Sequence, residues 1–194
     1  MNGPERPARE EIYAGRIVTL SRDTVVLPGG ATATFEHVSH PGAAAVLPFL
    51  DPPEAGDPRI VLICQYRHAA DGHLYEIPAG LPASPAEEWE ACARRELAEE
   101  TGYEAGEMRY LTGLLTTPGF TDERIHLFAG TGLVAGGAHR ESDEVIEVVD
   151  LPLSEAVEGV RSGRIVDAKT AAALLFAHAF PPAASEEERS PPPR

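Results

Sequence analysis

The stretch from Ser84 to Gly102 carries both start and end signals of a helix, and this feature most limits the fold. Pro85 suits the first turn, Ser84 suits the N-cap, and Glu87 can complete a capping box. Gly102 is the residue type that ends helices, because it adopts left-handed backbone angles without strain. We therefore predict a helix over residues 85–101.

Apolar runs of strand length surround this helix. Residues 43–50 and 60–65 flank a loop at 51–58 that is rich in Pro, Gly and Asp, and they predict a hairpin. Further strands are predicted at 108–115, 125–133 and 145–151, followed by a helical region that begins near Ser154, pauses at 162–163 and resumes over 167–180. This order lacks the regular β–α alternation of a doubly wound sheet, so the predicted fold class is α/β of the α+β type.

Composition bears on the compartment and the partners. The 194 residues include 31 acidic and 16 basic side chains, and the formal charge of −15 opposes binding to nucleic acid. No apolar run in the sequence is long enough to span a membrane, and from its charged, Pro-containing start we expect no secretion signal. Cys64 and Cys92 have no metal-ligand spacing and are expected to be reduced thiols. We expect a cytoplasmic protein without nucleic-acid or membrane partners.

Three carboxylates project from one side of the predicted helix. Glu96 and Glu100 are four residues apart and Glu99 is three from Glu96, so the three occupy neighbouring positions. They lie beside an apolar stripe formed by Trp89, Ala93 and Leu97. A divalent cation such as Mg²⁺ would offset both their repulsion and the cost of desolvating them. The alternative is a solvated acidic face, the commoner role of a glutamate-rich helix.

The residues around these carboxylates resemble the Nudix box. Gly80 is followed by six residues, then Glu87, then seven residues, and then RELAEETGY at 95–103. The family usually has five residues between the glycine and the first glutamate, so one extra residue lies in the loop at 81–86. This loop should alter the approach to the helix and leave the register of the carboxylates unchanged. The resemblance implies a mixed β-sheet sandwiched between helices, here with an N-terminal β-strand extension.

The resemblance also implies roles for residues of the motif. The implied metal ligands are the Ala79 carbonyl, Glu96, Glu99 and Glu100. The expected ion is Mg²⁺, with Mn²⁺ or another divalent cation as the alternative, and Glu99 and Glu100 are also catalytic candidates. The structural residues of the motif are Gly80, Glu87, Arg95 and Gly102. Arg95 is expected to orient a glutamate such as Glu87.

Two flanking segments resemble the ADP-ribose pyrophosphatase branch of the family. The first, residues 65–68 with 75–80, contains the substrate-binding candidates Arg67 and Glu76. The planar fork of an arginine suits phosphate oxygens, although Arg67 has the alternative of being a surface residue at a strand end. The second segment, at 117–123, adds the candidates Pro118, Gly119, Phe120 and Glu123. For Glu123, ligand contact and loop stabilisation are equally open, and for Phe120 a core or loop role is favoured over stacking.

Hydrolysis also requires a general base, which the family often supplies from a loop before a late strand. The corresponding loop is 139–144, where the usual glutamate position falls on Ser142, which cannot act as that base. Glu144 is the first candidate and Glu141 the second. The alternatives are a base within the motif helix and an ordinary acidic surface loop.

The sequence therefore predicts a Mg²⁺-dependent pyrophosphohydrolase that cleaves ADP-ribose to AMP and ribose 5-phosphate. The alternatives are hydrolysis of a nucleotide sugar, NADH or an oxidised nucleotide, and a module that binds ADP-ribose without hydrolysing it. The resemblance implies a homodimer. The predicted plan is a disordered start at 1–11, a β extension at 12–42 with a role in dimerisation or the substrate site, a Nudix domain at 43–180 and a disordered Pro/Glu-rich tail at 181–194.

Overall fold

The computed structural model of the chain describes residues 5–136, 146–181 and 190–191, and it divides into two compact units. The first unit comprises Met1–Gly42 and Leu115–Arg124, and the second comprises Ala43–Leu114 and Ile125–Arg194. Among the described helices, none is long and apolar enough to cross a membrane.

The first unit contains a three-stranded antiparallel sheet with β2 in the centre. Its strands are β1 (Glu5–Ala14), β2 (Thr19–Val26) and β3 (Thr32–Ser39). Gly29 and Gly30 turn the chain between β2 and β3 with φ angles of 111° and 85°, which side chains rarely permit.

Strand β1 corrects the prediction that residues 1–11 are disordered, because it begins at Glu5. Charged composition suggested disorder, but Arg9 on β1 donates two hydrogen bonds, of 2.7 and 2.6 Å, to the buried carboxylate of Asp23 on β2. These bonds lower the pKa of Asp23 to about 2. The charges of this segment therefore take part in strand pairing.

The other strands and the three helices belong to the second unit, apart from the end residues Leu115 and Arg124. The strands are β4 (Ala43–Pro48), β5 (Arg59–Arg67), β6 (Gly72–Glu76), β7 (Ala79–Gly80), β8 (Tyr103–Glu104), β9 (Glu107–Leu115), β10 (Arg124–Thr131), β11 (Val134–Ala135) and β12 (Ile146–Pro152). The helices are α1 (Trp89–Thr101), α2 (Leu153–Ser162) and α3 (Ala168–Ala179). The sheets have the orders β7-β4-β10-β9, β12-β5-β6 and β11-β8.

The predicted hairpin of residues 43–50 and 60–65 is wrong. Strand β4 lies between β7 and β10, whereas β5 lies between β12 and β6 in another sheet. An isolated bridge between Phe49 and Ile60 joins the ends of the two segments. Consecutive residues are apolar in both segments, so both faces of each strand must be buried. Placing the two strands in different sheets allows this burial.

Helix α1 ends as predicted but begins later. Gly102 closes it with φ of 75°, and the helix starts at Trp89 instead of Pro85. Glu87 explains the later start, because its side chain binds Arg95 and the Ala83 amide and so holds the preceding turn outside the helix.

Strand β4 is buried on both faces and borders two apolar clusters of the second unit. Ala44 and Val46 pack in one cluster with the predicted stripe of α1, which consists of Trp89, Ala93 and Leu97. Ala45 and Leu47 pack in the other, with residues of α2 and α3. Because β4 is parallel to β10 and antiparallel to β7, a mixed sheet lies between helices, which confirms the predicted architecture.

Candidate active site

Helix α1 places two of the predicted glutamates against strand β7. Glu96 lies so close to Gly80 that a Cβ atom on Gly80 would be 2.1 Å from Glu96 Oε1. Glu100 is buried, and its Oε2 accepts a hydrogen bond of 3.0 Å from the Ala79 amide. The fold therefore brings Ala79, Gly80, Glu96 and Glu100 together within one unit.

Arg95 is the centre of the ion pairs at this site. Its Nε and Nη2 donate to the two oxygens of Glu87 at 3.1 and 3.3 Å, which confirms the predicted pair. Its Nη1 donates to Glu96 Oε1 at 2.6 Å and to Glu99 Oε2 at 2.8 Å. The hydrogen bond to Glu87 and the charge of Glu96 raise the pKa of Arg95, so the guanidinium stays charged. Arg95 thus offsets part of the negative charge of Glu87, Glu96 and Glu99 in this structure.

The six-residue loop before the helix is tied to the same pair. The Leu81 carbonyl accepts a hydrogen bond of 2.8 Å from Arg95 Nη2. The Ala83 amide donates to Glu87 Oε2 at 2.6 Å. The extra residue is therefore accommodated in a loop whose first half, at Leu81 and Ala83, is held by the Arg95–Glu87 pair.

Cys92 is a buried thiol beside the site. Burial raises the pKa of its thiol to about 12, and the charge of Glu96 adds to this effect. The thiol donates to the Gly80 carbonyl at 3.6 Å. Burial also raises the pKa of Cys64. Both cysteines are free thiols, as predicted.

The oxygen atoms at this site have the chemistry that a hard divalent cation selects. Glu96, Glu99 and Glu100 offer carboxylates, and Ala79 offers a carbonyl. Within residues 5–136, 146–181 and 190–191, no three His, Cys, Asp or Glu side chains already converge on one metal position. In this structure Arg95 binds Glu96 and Glu99. The residue types fit a divalent cation, and the metal-ligand roles stay a prediction.

Arg67 and Glu76 form a second, neighbouring ion pair on β5 and β6. Arg67 donates Nε and Nη2 to the two oxygens of Glu76 at 2.7 and 2.9 Å. Glu76 is buried and also binds Lys169. Burial alone would raise the pKa of Glu76, but the Arg67 hydrogen bond and the Lys169 charge lower it overall. The substrate-binding roles of Arg67 and Glu76 stay predictions.

The sequence reasoning missed Lys169 and its neighbours Asp167 and Thr170. Lys169 Nζ lies 3.1 Å from Asp167 Oδ2, and Thr170 donates its hydroxyl to the same oxygen at 2.6 Å. One signal was available in the sequence, because Lys169 is its only lysine.

The substrate-binding candidates at 118–123 belong to the first unit. The Val38 amide donates to the Phe120 carbonyl at 2.7 Å, and the Phe120 side chain is exposed. Glu123 Oε2 accepts from the Thr116 hydroxyl at 2.7 Å, and its Oε1 lies 3.6 Å from His40 Nδ1. These contacts stabilise the loop, and the proposed ligand contacts of Pro118, Gly119, Phe120 and Glu123 stay predictions. The base candidates Glu141 and Glu144, and Ser142, lie outside the described residues.

Gly80→Ala is expected to lower activity with little effect on stability. The added methyl group would meet the carboxylate of Glu96, which is the movable end of a side chain, so the carboxylate moves while the backbone is kept. We expect hydrolysis to fall at least about 10-fold, because the displaced carboxylate is a predicted ligand of the cation. The thermal unfolding temperature should change by less than about 3 °C. Unchanged activity in a folded variant would show that the Glu96 position is not required.

Comparison with known proteins identifies the class of this chain. The family described as NUDIX domain matches residues 39–174, and the chain belongs to the Nudix family. It is 40% identical over 169 residues to a methanol dehydrogenase activator of Bacillus methanolicus, covering 86% of this chain and 88% of the relative. It is 39% identical over 171 residues to an ADP-ribose pyrophosphatase of Bacillus subtilis strain 168, covering 87% and 89%.

A solved structure shows the same fold. The crystal structure of an ADP compounds hydrolase matches with a TM-score of 0.79 at 19% identity and covers 93% of this chain and 95% of that chain. The predicted Nudix fold is therefore confirmed by the family match and by the structural likeness.

Proposed function

We propose that this Nudix protein is a pyrophosphohydrolase that cleaves the diphosphate of ADP-ribose to AMP and ribose 5-phosphate. The observation that supports this most is the placement of Glu96 and Glu100 against Ala79–Gly80, in the same unit as Arg67. The carboxylates and the carbonyl provide cation ligands, and Arg67 provides a donor for phosphate.

The proposed cofactor is Mg²⁺, with Mn²⁺ or another divalent cation as the alternative, held by Ala79, Glu96, Glu99 and Glu100. When bound, such a cation neutralises diphosphate charge and lowers the pKa of water. Arg67 binds a substrate phosphate and holds it in place. Arg95 keeps the carboxylates oriented, since it contacts Glu87, Glu96 and Glu99 together.

A glutamate accepts the proton of the attacking water in this proposal. Glu144 is the first candidate and Glu141 the second, with Glu99 or Glu100 of α1 as the alternative. Separate Glu144→Gln and Glu141→Gln variants identify the base, because the correct one lowers kcat while KM changes little.

The two relatives carry different functional names at nearly equal identity, so identity alone does not choose the substrate. The ADP-ribose pyrophosphatase of Bacillus subtilis supports ADP-ribose, as does the residue pattern at 65–80. We further propose a cytoplasmic homodimer, in which the first unit contributes to the interface or to the substrate site.

Substrate profiling tests the proposal. Purified protein is assayed with Mg²⁺ against ADP-ribose, a nucleotide sugar, NADH and an oxidised nucleotide, and the products are separated by chromatography. ADP-ribose is expected to give the highest kcat/KM, with AMP and ribose 5-phosphate as products. A higher kcat/KM for another compound would replace ADP-ribose as the substrate, and binding of ADP-ribose without turnover would favour the non-hydrolytic module.

A further inference from the structure

Lys169 is a largely buried member of the Arg67–Glu76 ion cluster, and the proposed function gives it no role. Its Nζ contacts Glu76 Oε2 and lies 3.1 Å from Asp167 Oδ2, and its side chain is 10% exposed. Every other lysine or arginine position in the sequence is an arginine. The lysine stands where the buried carboxylate of Glu76 and the partly buried carboxylate of Asp167 share one cation.

Lys169 supplies positive charge to the carboxylates that lie beside Arg67. With Glu76 as its sole partner, Arg67 would form a neutral pair. Lys169 brings a second positive charge to the same carboxylate and balances the charge of Asp167, so loss of Lys169 would leave one net negative charge on the cluster of Arg67, Glu76 and Asp167. Arg67 is its exposed member, with 40% of its side chain accessible. Within the described residues, Arg67 donates through Nε and Nη2, while Nη1 makes no hydrogen bond and remains available.

The N-terminus of α3 holds Lys169 in this position. Asp167 caps the helix, and its Oδ2 accepts from the Thr170 amide at 2.9 Å and from the Thr170 hydroxyl at 2.6 Å. The Thr170 hydroxyl oxygen accepts in turn from the Ile77 amide at 2.9 Å. Helix α3 therefore contacts both the Glu76 carboxylate and the backbone that leads from it to Ala79.

The shape of the cluster favours an ammonium group. Arg67 covers one edge of the Glu76 carboxylate with two parallel hydrogen bonds. An ammonium group is compact, and its three donors can serve Glu76 and Asp167 from the remaining side. A second guanidinium would need more space in this buried position. An arginine at position 169 should therefore restore the positive charge but fit less well between Glu76 and Asp167.

We propose that Lys169 is a positioning residue for substrate binding. By holding Glu76, it keeps Arg67 oriented with the Nη1 donor available for a substrate phosphate, and it balances the negative charge that Glu76 and Asp167 would otherwise place beside that phosphate. This inference rests on the proposed function, because it concerns binding of the same diphosphate substrate.

Lys169→Met is expected to raise the KM for ADP-ribose about 10-fold while kcat changes less than about threefold, because binding is weakened and the reacting groups are kept. Lys169→Gln keeps a hydrogen-bond donor but removes the charge, and it should also raise KM. This variant provides the test if Lys169→Met does not fold. Lys169→Arg should restore part of the loss. Circular dichroism and thermal unfolding establish that each variant is folded.

A double-mutant cycle separates positioning from a general structural effect. If Lys169 acts through Arg67, adding Lys169→Met to Arg67→Gln should change KM by less than about twofold. Two full and independent KM increases would contradict this. Arg161→Met is the matched control, because it removes one positive charge from an exposed ion pair with Glu158 on α2 and should leave KM unchanged.

Equilibrium binding gives a readout without turnover. The probe is an ADP-ribose analogue with a methylene group in place of the bridging diphosphate oxygen, and its Kd, measured by calorimetry, should rise with KM in the Lys169 variants. Absence of ADP-ribose hydrolysis by the wild type would remove the proposed function itself. Hydrolysis by the wild type, with unchanged KM and Kd in folded Lys169→Met and Lys169→Gln, would overturn this inference alone.

Discussion

Glu100→Gln is expected to lower kcat for ADP-ribose by at least about 100-fold, because a cation ligand contributes several kcal/mol and each 1.4 kcal/mol corresponds to a factor of ten. The amide keeps an oxygen that can accept the hydrogen bond from the Ala79 amide, so the position of the side chain should be maintained. The loss is then due to the missing negative charge. Steady-state kinetics over a range of Mg²⁺ concentrations measure the effect.

Glu90→Gln is the matched control for this experiment. Glu90 lies in the first turn of the same helix, where it is exposed and pairs with Arg94 at 2.9 Å. Its substitution removes the same charge from α1 and should change kcat by less than about twofold, as is usual for an exposed pair. Equal turnover by wild type and a folded Glu100→Gln variant would refute the metal-site assignment.

Arg95→Met is expected to lower the free energy of unfolding by about 2–3 kcal/mol, since the carboxylates of these partly buried ion pairs lose their shared positive partner. We place the value below that of a fully buried pair because the Arg95 side chain is 28% exposed. Glu87, Glu96 and Glu99 would then repel one another without a cation between them. In chelator-treated protein, the thermal unfolding temperature should fall by about 5–10 °C.

Added Mg²⁺ should restore more stability to Arg95→Met than to the wild type. In the variant a cation binds the carboxylates without displacing a guanidinium, and binding to the folded state alone raises stability. Arg161→Met is the control, because its ion pair with Glu158 is exposed and the loss of that pair should change stability little. An Arg95→Met variant as stable as the wild type in chelator would show that the carboxylates do not need this neutralisation.

The end of α1 and its buried stripe could be predicted from the sequence because both depend on local spacing. Gly102 adopts the left-handed conformation expected of a C-terminal cap, and Trp89, Ala93 and Leu97 recur at helical intervals. The start of the helix could not be predicted in the same way. The side chain of Glu87 binds Arg95 instead of capping the helix, and the position of Arg95 depends on the folded helix.

Pairing between distant segments was the main limit of sequence reasoning. The apolar runs at 43–50 and 60–65 are adjacent in the chain, and no local signal shows that β4 pairs with β10 and β5 with β12. Lys169 is a similar case within the candidate site. It meets Glu76 across 93 positions of sequence, so its partner becomes visible only in the folded chain.

Strand β4 makes the candidate site sensitive to substitutions far from any reacting group. Ala44 packs against α1 and its neighbour Ala45 faces the opposite cluster, both without solvent exposure. Small side chains at these positions allow close approach of the layers, and a larger one would shift α1 relative to Gly80. During evolution, such exchanges inside the protein can therefore tune turnover while every residue of the motif stays the same.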